Sequence, residues 1–235
     1  MGKTRTPIAN VPAPIRAVVF DAYGTLFDVH SVAGLAEQLF PGSGDALSRL
    51  WRQKQLEYSW LRAMSGRYKP FQEITRDALR FAAGQLALSM RPEHEAGLMD
   101  QYASLSAFPE NLSTLRALKA AGLPLGILSN GNREMIEASV RNAGMTGIFE
   151  HLLSSQDVES FKTTATIYAL APSAFGCPAR EILFVSSNCW DAIGARWYGY
   201  TSFWINRTGA PLEQLDTQPD YMGNLLTDVL AVART

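Results

Sequence analysis

Four apolar residues, Ala17, Val18, Val19 and Phe20, run directly into the carboxylate of Asp21, and Gly24-Thr25 breaks the pattern three residues later. A short apolar run bounded by a turn signal reads as a buried strand. In an open α/β sheet, ligands bind beyond the carboxyl ends of the strands, which places Asp21 at the mouth of a site. Apolar neighbours would shield that carboxylate and give it the setting of a nucleophile. Asp also caps turns and helices, so this stretch alone does not decide between the two roles.

The chain beyond Asp28 separates into two textures. Residues 31–105 carry helical periodicity and no strand signal. Asp45 is placed to cap a helix whose stripe is Leu47, Leu50, Trp51, Tyr58 and Leu61, with Arg52 to one side. A second helix is predicted over 71–88, with Ile74, Ala78, Leu79 and Phe81 inward, and a third over 92–102. This block reads as a small helical domain inserted after the first strand. From Pro109 onward, helices (110–121, 133–143, 165–174, 191–198) alternate with strands (124–129, 150–154, 181–187, 201–205). Such alternation predicts an α/β fold, a doubly wound, Rossmann-like parallel sheet. The organisation expected is a loose leader over 1–15, an α/β core from 16–30 and 106–235, and a helical cap over 31–105.

Composition narrows the function classes. With 235 residues, 47% of them apolar, the chain can bury a full domain and a smaller companion. A net charge of −1 offers no field for nucleic acid or an acidic membrane surface. No apolar stretch approaches bilayer-spanning length, and the first residues lack the apolar core of a secretory signal, so a cytoplasmic location is expected. Met1-Gly2 with Thr6 fits a myristoylation pattern only formally. Cys177 and Cys189 form no disulfide framework, and His30, His94 and His151 are scattered, which argues against a zinc site or a His-based triad.

Polar residues gather at the predicted strand ends: Asp21 after the first, Ser129 and Asn130 after the second, Lys162 after the third, and Ser186, Ser187, Asn188 and Asp191 after the fourth. Each has an ordinary explanation as a cap or a solvated side chain. The predicted fold would bring all four sets to one sheet edge.

These stretches, with Phe20-Asp21-Ala22-Tyr23-Gly24-Thr25-Leu26 and Leu50-Trp51-Arg52-Gln53-Lys54-Gln55-Leu56-Glu57-Tyr58, resemble the haloacid dehalogenase superfamily, and more narrowly its (S)-2-haloacid dehalogenases. The resemblance implies that Asp21 displaces the halogen at C2 with inversion, giving an ester that water hydrolyses to an (R)-2-hydroxy acid. It assigns the departing halide to Arg52, helped by Asn130 and the edge of Phe71. Lys162, Ser186, Asn188 and Asp191 would hold Asp21 and direct the water, with Ser129 on the substrate carboxylate. Thr25 and Tyr168 would support these groups, while Tyr23, Gln53, Leu56, Phe71 and Trp190 line a small apolar pocket. It implies no cofactor, a small-molecule 2-haloacid as partner, and a homodimer.

The alternatives are a Mg²⁺-dependent phosphatase of the same superfamily and a non-catalytic ligand-binding relative. Phosphatases of the superfamily carry a second aspartate two residues after the nucleophile; Tyr23 stands there and offers no carboxyl group. A halide departs as a stable anion and needs cationic stabilisation instead of an acid. After the fourth strand Ser186-Ser187-Asn188 leaves only Asp191 for an ion, and Lys162 would compete for the same space, so a metal-free site is expected. Lys162 and Arg52 also offset two of the three negative charges of Asp21, Asp191 and the substrate. Thr163 stands where members often have proline, and there the expectation is an altered loop stiffness and not lost function.

Overall fold

The computed structural model describes residues 14–233. Most of the leader and the myristoylation-like pattern lie outside the described residues.

Six strands form one parallel sheet: β1 Ala17–Phe20, β2 Leu125–Ser129, β3 His151–Ser154, β4 Ile182–Ser186, β5 Thr201–Ile205 and β6 Tyr221–Gly223, in the order β3-β2-β1-β4-β5-β6. Strands β1, β2 and β4 are buried throughout, as expected for a sheet covered on both faces. The order reverses at β1, which pairs with β2 on one side and β4 on the other. That reversal opens a crevice at the carboxyl ends of these strands, and the chain places Asp21, Ser129 and Ser187 there.

Four consecutive helices separate β1 from the rest: α1 Ala33–Leu39, α2 Gly44–Ser65, α3 Phe71–Gln85 and α4 Pro92–Ala103. Helix α2 buries Leu47, Trp51 and Gln55 at helical spacing and ends at Gly66 in the left-handed conformation (φ 63°). Helix α3 buries Phe71, Ile74, Ala78 and Leu79. A single apolar cluster runs from these helices (Trp51, Phe71, Leu79) into the sheet (Phe20, Ile127, Leu183), so the two parts share one core. The remaining helices are α5 Asn111–Ala120, α6 Arg133–Asn142, α7 Ala165–Tyr168, α8 Leu170–Phe175, α9 Cys189–Tyr198 and α10 Val229–Val232.

Several sequence expectations change. Leu61 is 51% exposed and Phe81 39% exposed, because each lies at the edge of its stripe, where no further layer covers it. Asp45 is not the cap of α2: it lies within the first turn, behind Ser43. The helix expected over 165–174 is broken into α7 and α8. Pro172 has no N–H to give the carbonyl of Tyr168 four residues earlier, and the Tyr200 hydroxyl takes that carbonyl instead. Strand β6 is an addition to the expected set; its three residues carry no alternation of their own.

Candidate active site

Asp21 leaves β1 with its amide donating to the Val185 carbonyl of β4 at 2.9 Å, which locks the carboxylate at the sheet edge. Gly24 then turns the chain with φ +93°, a conformation natural to glycine, and its N–H meets the Phe27 carbonyl at 2.7 Å. The turn carries Thr25 back beneath the carboxylate. Thr25 Oγ1 and Asn188 Nδ2 each donate to Asp21 Oδ2 at 2.9 Å. Lys162 Nζ donates to Asp21 Oδ1 at 2.9 Å and to Asp191 Oδ2 at 2.8 Å. Tyr168 Oη donates to Asp191 Oδ1 at 2.7 Å.

This cluster is almost dry: Lys162 is 1%, Asp191 0% and Asp21 6% exposed. Burial pulls the Lys162 ammonium down, but the carboxylates of Asp191 and Asp21 outweigh it and hold its pKa above the ordinary lysine value. Burial pushes Asp191 up to about 6, against the pull of Lys162. Burial, then the neighbouring Asp191, raise Tyr168 well above the usual phenol value, so it remains a donor. The Phe184 ring lies 4.9 Å from Lys162 Nζ and adds a cation–π contact.

The surrounding loops are braced from behind. Ser154 and Ser155 donate to the carbonyls of Gly131 and Asn130 at 2.7 and 2.6 Å, and Asn130 Oδ1 accepts the Lys162 amide at 2.9 Å. A Cβ on Gly131 would stand 2.7 Å from the Tyr23 ring, so glycine lets that ring pack against the loop. Tyr23 stacks on Tyr102 and tilts against Phe71 at centroid distances of 5.7 and 6.1 Å. Ser187 binds Thr25 through both its amide and its hydroxyl.

Asp21, Lys162 and Asn188 form one side of a narrow cleft, and Arg52, Leu56 and Phe71 the other, with Tyr23, Asn130 and Trp190 completing its walls. Its free space is about 10 Å³, roughly one water molecule. A wider cleft of about 510 Å³ adjoins it and shares Arg52, Leu56, Asn188 and Trp190.

A model of the family described as haloacid dehalogenase-like hydrolase matches residues 15–199. The chain belongs to this family. It is 47% identical over 215 residues to an (S)-2-haloacid dehalogenase of Pseudomonas putida, covering 92% of this chain and 95% of that one. It superposes on a crystal structure of an L-2-haloacid dehalogenase with a TM-score of 0.93 at 56% identity, covering 95% of this chain and 100% of that one. It also resembles the L-2-haloacid dehalogenase of Xanthobacter autotrophicus with chloropropionic acid covalently bound, with a TM-score of 0.87 at 38% identity and coverage of 94% and 98%.

Of the expected site residues of this haloacid dehalogenase-like hydrolase, Asp21, Tyr23, Arg52, Leu56, Phe71, Asn130, Lys162, Asn188 and Trp190 meet in the cleft. Thr25, Tyr168 and Asp191 stand directly behind it. Ser129 and Ser186 are fully buried and not among its walls; their Oγ atoms accept the amides of Gly131 and Asn188 at 3.0 and 3.1 Å. Gln53 is the exception. It is exposed, about 100° around α2 from Arg52, and reaches neither cleft. Gln55, three residues after Arg52, is fully buried and also lies outside both clefts, with Arg52 Nη1 donating to its Oε1 at 2.7 Å. The i,i+3 spacing is the signal that distinguishes them.

A magnesium ion, as in phosphatases of the family, does not fit these residues. All four carboxylate oxygens of Asp21 and Asp191 already face N–H or O–H donors, and the Lys162 ammonium bridges the two groups. A hard dication would have to displace that ammonium to gain its oxygen ligands.

Proposed function

We propose that this chain hydrolyses short (S)-2-haloalkanoic acids to (R)-2-hydroxy acids through an ester on Asp21. The observation that carries this reading is the buried Lys162 ammonium spanning Asp21 and Asp191 beneath a cleft that Arg52, Phe71 and Trp190 close. Residues 31–105 serve as the cap over residues 16–30 and 106–235.

Asp21 Oδ1 accepts one donor and Oδ2 two, so Oδ1 keeps the freer lone pair and attacks C2. The new C–O bond forms as the C–X bond breaks on the opposite face, and the halide leaves with the electron pair toward Arg52, Asn130 and the Phe71 edge. Inversion follows from that backside geometry. Oδ2 is then the ester carbonyl, already held by Thr25 and Asn188, which stabilise the oxyanion when water adds to the carboxyl carbon. Asp191, at about 6, takes the proton from that water near neutral pH, and Lys162 balances its charge. Collapse of the adduct breaks the bond between the Asp21 carboxyl carbon and the substrate-bound oxygen, which takes the proton back from Asp191 and leaves as the hydroxy acid. The new Asp21 carboxyl group gives up the other water proton to solvent. The resemblance assigns Ser129 to the substrate carboxylate; in the closed cleft it stands behind the wall, where its Oγ accepts from the Gly131 amide.

A cytoplasmic location and a homodimer complete the proposal. Among the described residues no helix is long and apolar enough to cross a membrane. The exposed Leu61 and Met64 of α2 are the kind of apolar surface that self-association covers.

Halide release from (S)- and (R)-2-chloropropionate, with and without EDTA, tests the reading. Release from the S enantiomer alone, unaffected by EDTA, with (R)-lactate as product, is expected. Loss of turnover on chelation would favour the metal-dependent alternative, and no release from either enantiomer would favour a binding protein.

A further inference from the structure

Three helices of the cap converge on one buried amide that takes no direct part in ester formation or hydrolysis. Gln55 of α2 is 0% exposed. Its Oε1 accepts from Arg52 Nη1 at 2.7 Å and from Tyr102 Oη of α4 at 3.0 Å. Its Nε2 donates to Thr75 Oγ1 of α3 at 2.7 Å, and Thr75 Oγ1 in turn donates to the Phe71 carbonyl at 2.8 Å.

The direction of this relay is forced. The Phe71 carbonyl can only accept, so the Thr75 hydroxyl spends its single hydrogen there. Thr75 must then accept from Gln55, which fixes the amide with nitrogen toward Thr75 and oxygen toward Arg52. Flipping the amide would set its N–H groups against the guanidinium N–H groups, two donors facing each other. The Arg52 guanidinium is held from that side by Gln55 and from the other by the Tyr23 carbonyl, 3.2 Å from Nη2. The Tyr102 hydroxyl lies beside the guanidinium as well, and the same relay ends on Phe71, which lines the cleft on the same side as Arg52.

We infer that Gln55, oriented by Thr75, is a positioning residue for the leaving group: it aims Arg52 at the departing halide and ties that aim to the placement of Phe71. The inference rests on the dehalogenase reading. It concerns how well developing negative charge is met, not how well substrate is held, so its signature lies in leaving-group sensitivity.

The test compares 2-bromo- and 2-chloropropionate (S enantiomers) in single-turnover alkylation with Gln55→Met, Thr75→Val and Thr75→Ser. Removing a hydrogen bond to a charged group is expected to slow Gln55→Met ~10- to 100-fold. The chloride should suffer more than the bromide, because the poorer leaving group leans harder on Arg52. Thr75→Val, two bonds removed from Arg52, should shift the bromide-to-chloride ratio the same way by a smaller factor. Thr75→Ser keeps the hydroxyl and should restore the unmodified ratio. A merely structural role would lower Tm and leave the ratio unchanged in every variant, which would overturn the assignment while leaving the reaction intact. A chain that releases no halide before mutation overturns both.

Discussion

Asp191 is a carboxylate that the fold makes reluctant to ionise, and its titration separates activity from stability. Its folded value of about 6 lies above the ordinary 3.8. Protonation therefore favours the folded state, so this group's contribution to stability is complete below the unfolded value and is lost as pH rises through about 6. The proposed hydrolysis needs the opposite form, because a protonated Asp191 neither accepts the proton of water nor carries the charge that pairs with Lys162. The rate is expected to fall as pH drops through about 6, while this one group's contribution to stability rises over the same interval. A pH–rate profile beside chemical denaturation at each pH checks both, and a rate that stays flat from about pH 7 to about 4.5 would remove Asp191 from the proton's path. Asp21, Lys162, Asn188 and Asp191 of this buried cluster were legible at or past predicted strand ends, whereas Thr25 and Tyr168, the latter in helix α7, came only from the resemblance. Gln53, expected at the pocket, faces outward, because a resemblance supplies a stretch of sequence while helical phase decides which of its residues points inward.

Helix α3 shows how an element of the cap is held by the core. Its N-cap position is Pro70, whose side chain has no acceptor for the free amides of the first turn. Asn132, at the foot of α6 in the sheet domain, supplies one: its Oδ1 accepts the Gln72 amide at 2.9 Å. The residue beside that bond is Phe71, a wall of the cleft. Asn132→Ala is expected to lower stability by ~1 kcal/mol, the usual worth of an N-cap. Because the bond crosses from core to cap, KM for a 2-haloacid should rise several-fold with a smaller change in kcat. Steady-state kinetics and a denaturation curve check this, and a loss of stability with KM unchanged would make the bond structural only. Sequence periodicity located α2 and α3 well, since both carry long apolar stripes. It said nothing of this bond, which joins residues sixty positions apart. It also overfilled the stripes, as exposed Leu61 and Phe81 show, because periodicity marks a direction and not where packing stops.

At the scale of the whole molecule, the doubly wound sheet and the helical insertion followed from strand–helix alternation, and the reversal of strand order at β1 explains why Asp21 is the first residue of the site. Closure was not legible. The cleft between Asp21 and Arg52 has about 10 Å³ of free space, because aromatic side chains from both parts, Tyr23, Phe71 and Trp190, pack across it. Trp60 of the cap meets Trp190 of the core edge to face at 5.4 Å, beside the wider cleft that leads outward. A three-carbon acid reaches Asp21 only when these contacts shift, so opening of the cap and the chemistry beneath it are linked steps. That chemistry reduces to the path of one oxygen atom. The decisive measurement is a single turnover of (S)-2-chloropropionate in H₂¹⁸O with enzyme in excess, followed by mass analysis of the peptide bearing Asp21. An ester route predicts ¹⁸O in the Asp21 carboxylate and unlabelled lactate; ¹⁸O in the lactate with Asp21 unlabelled would contradict it.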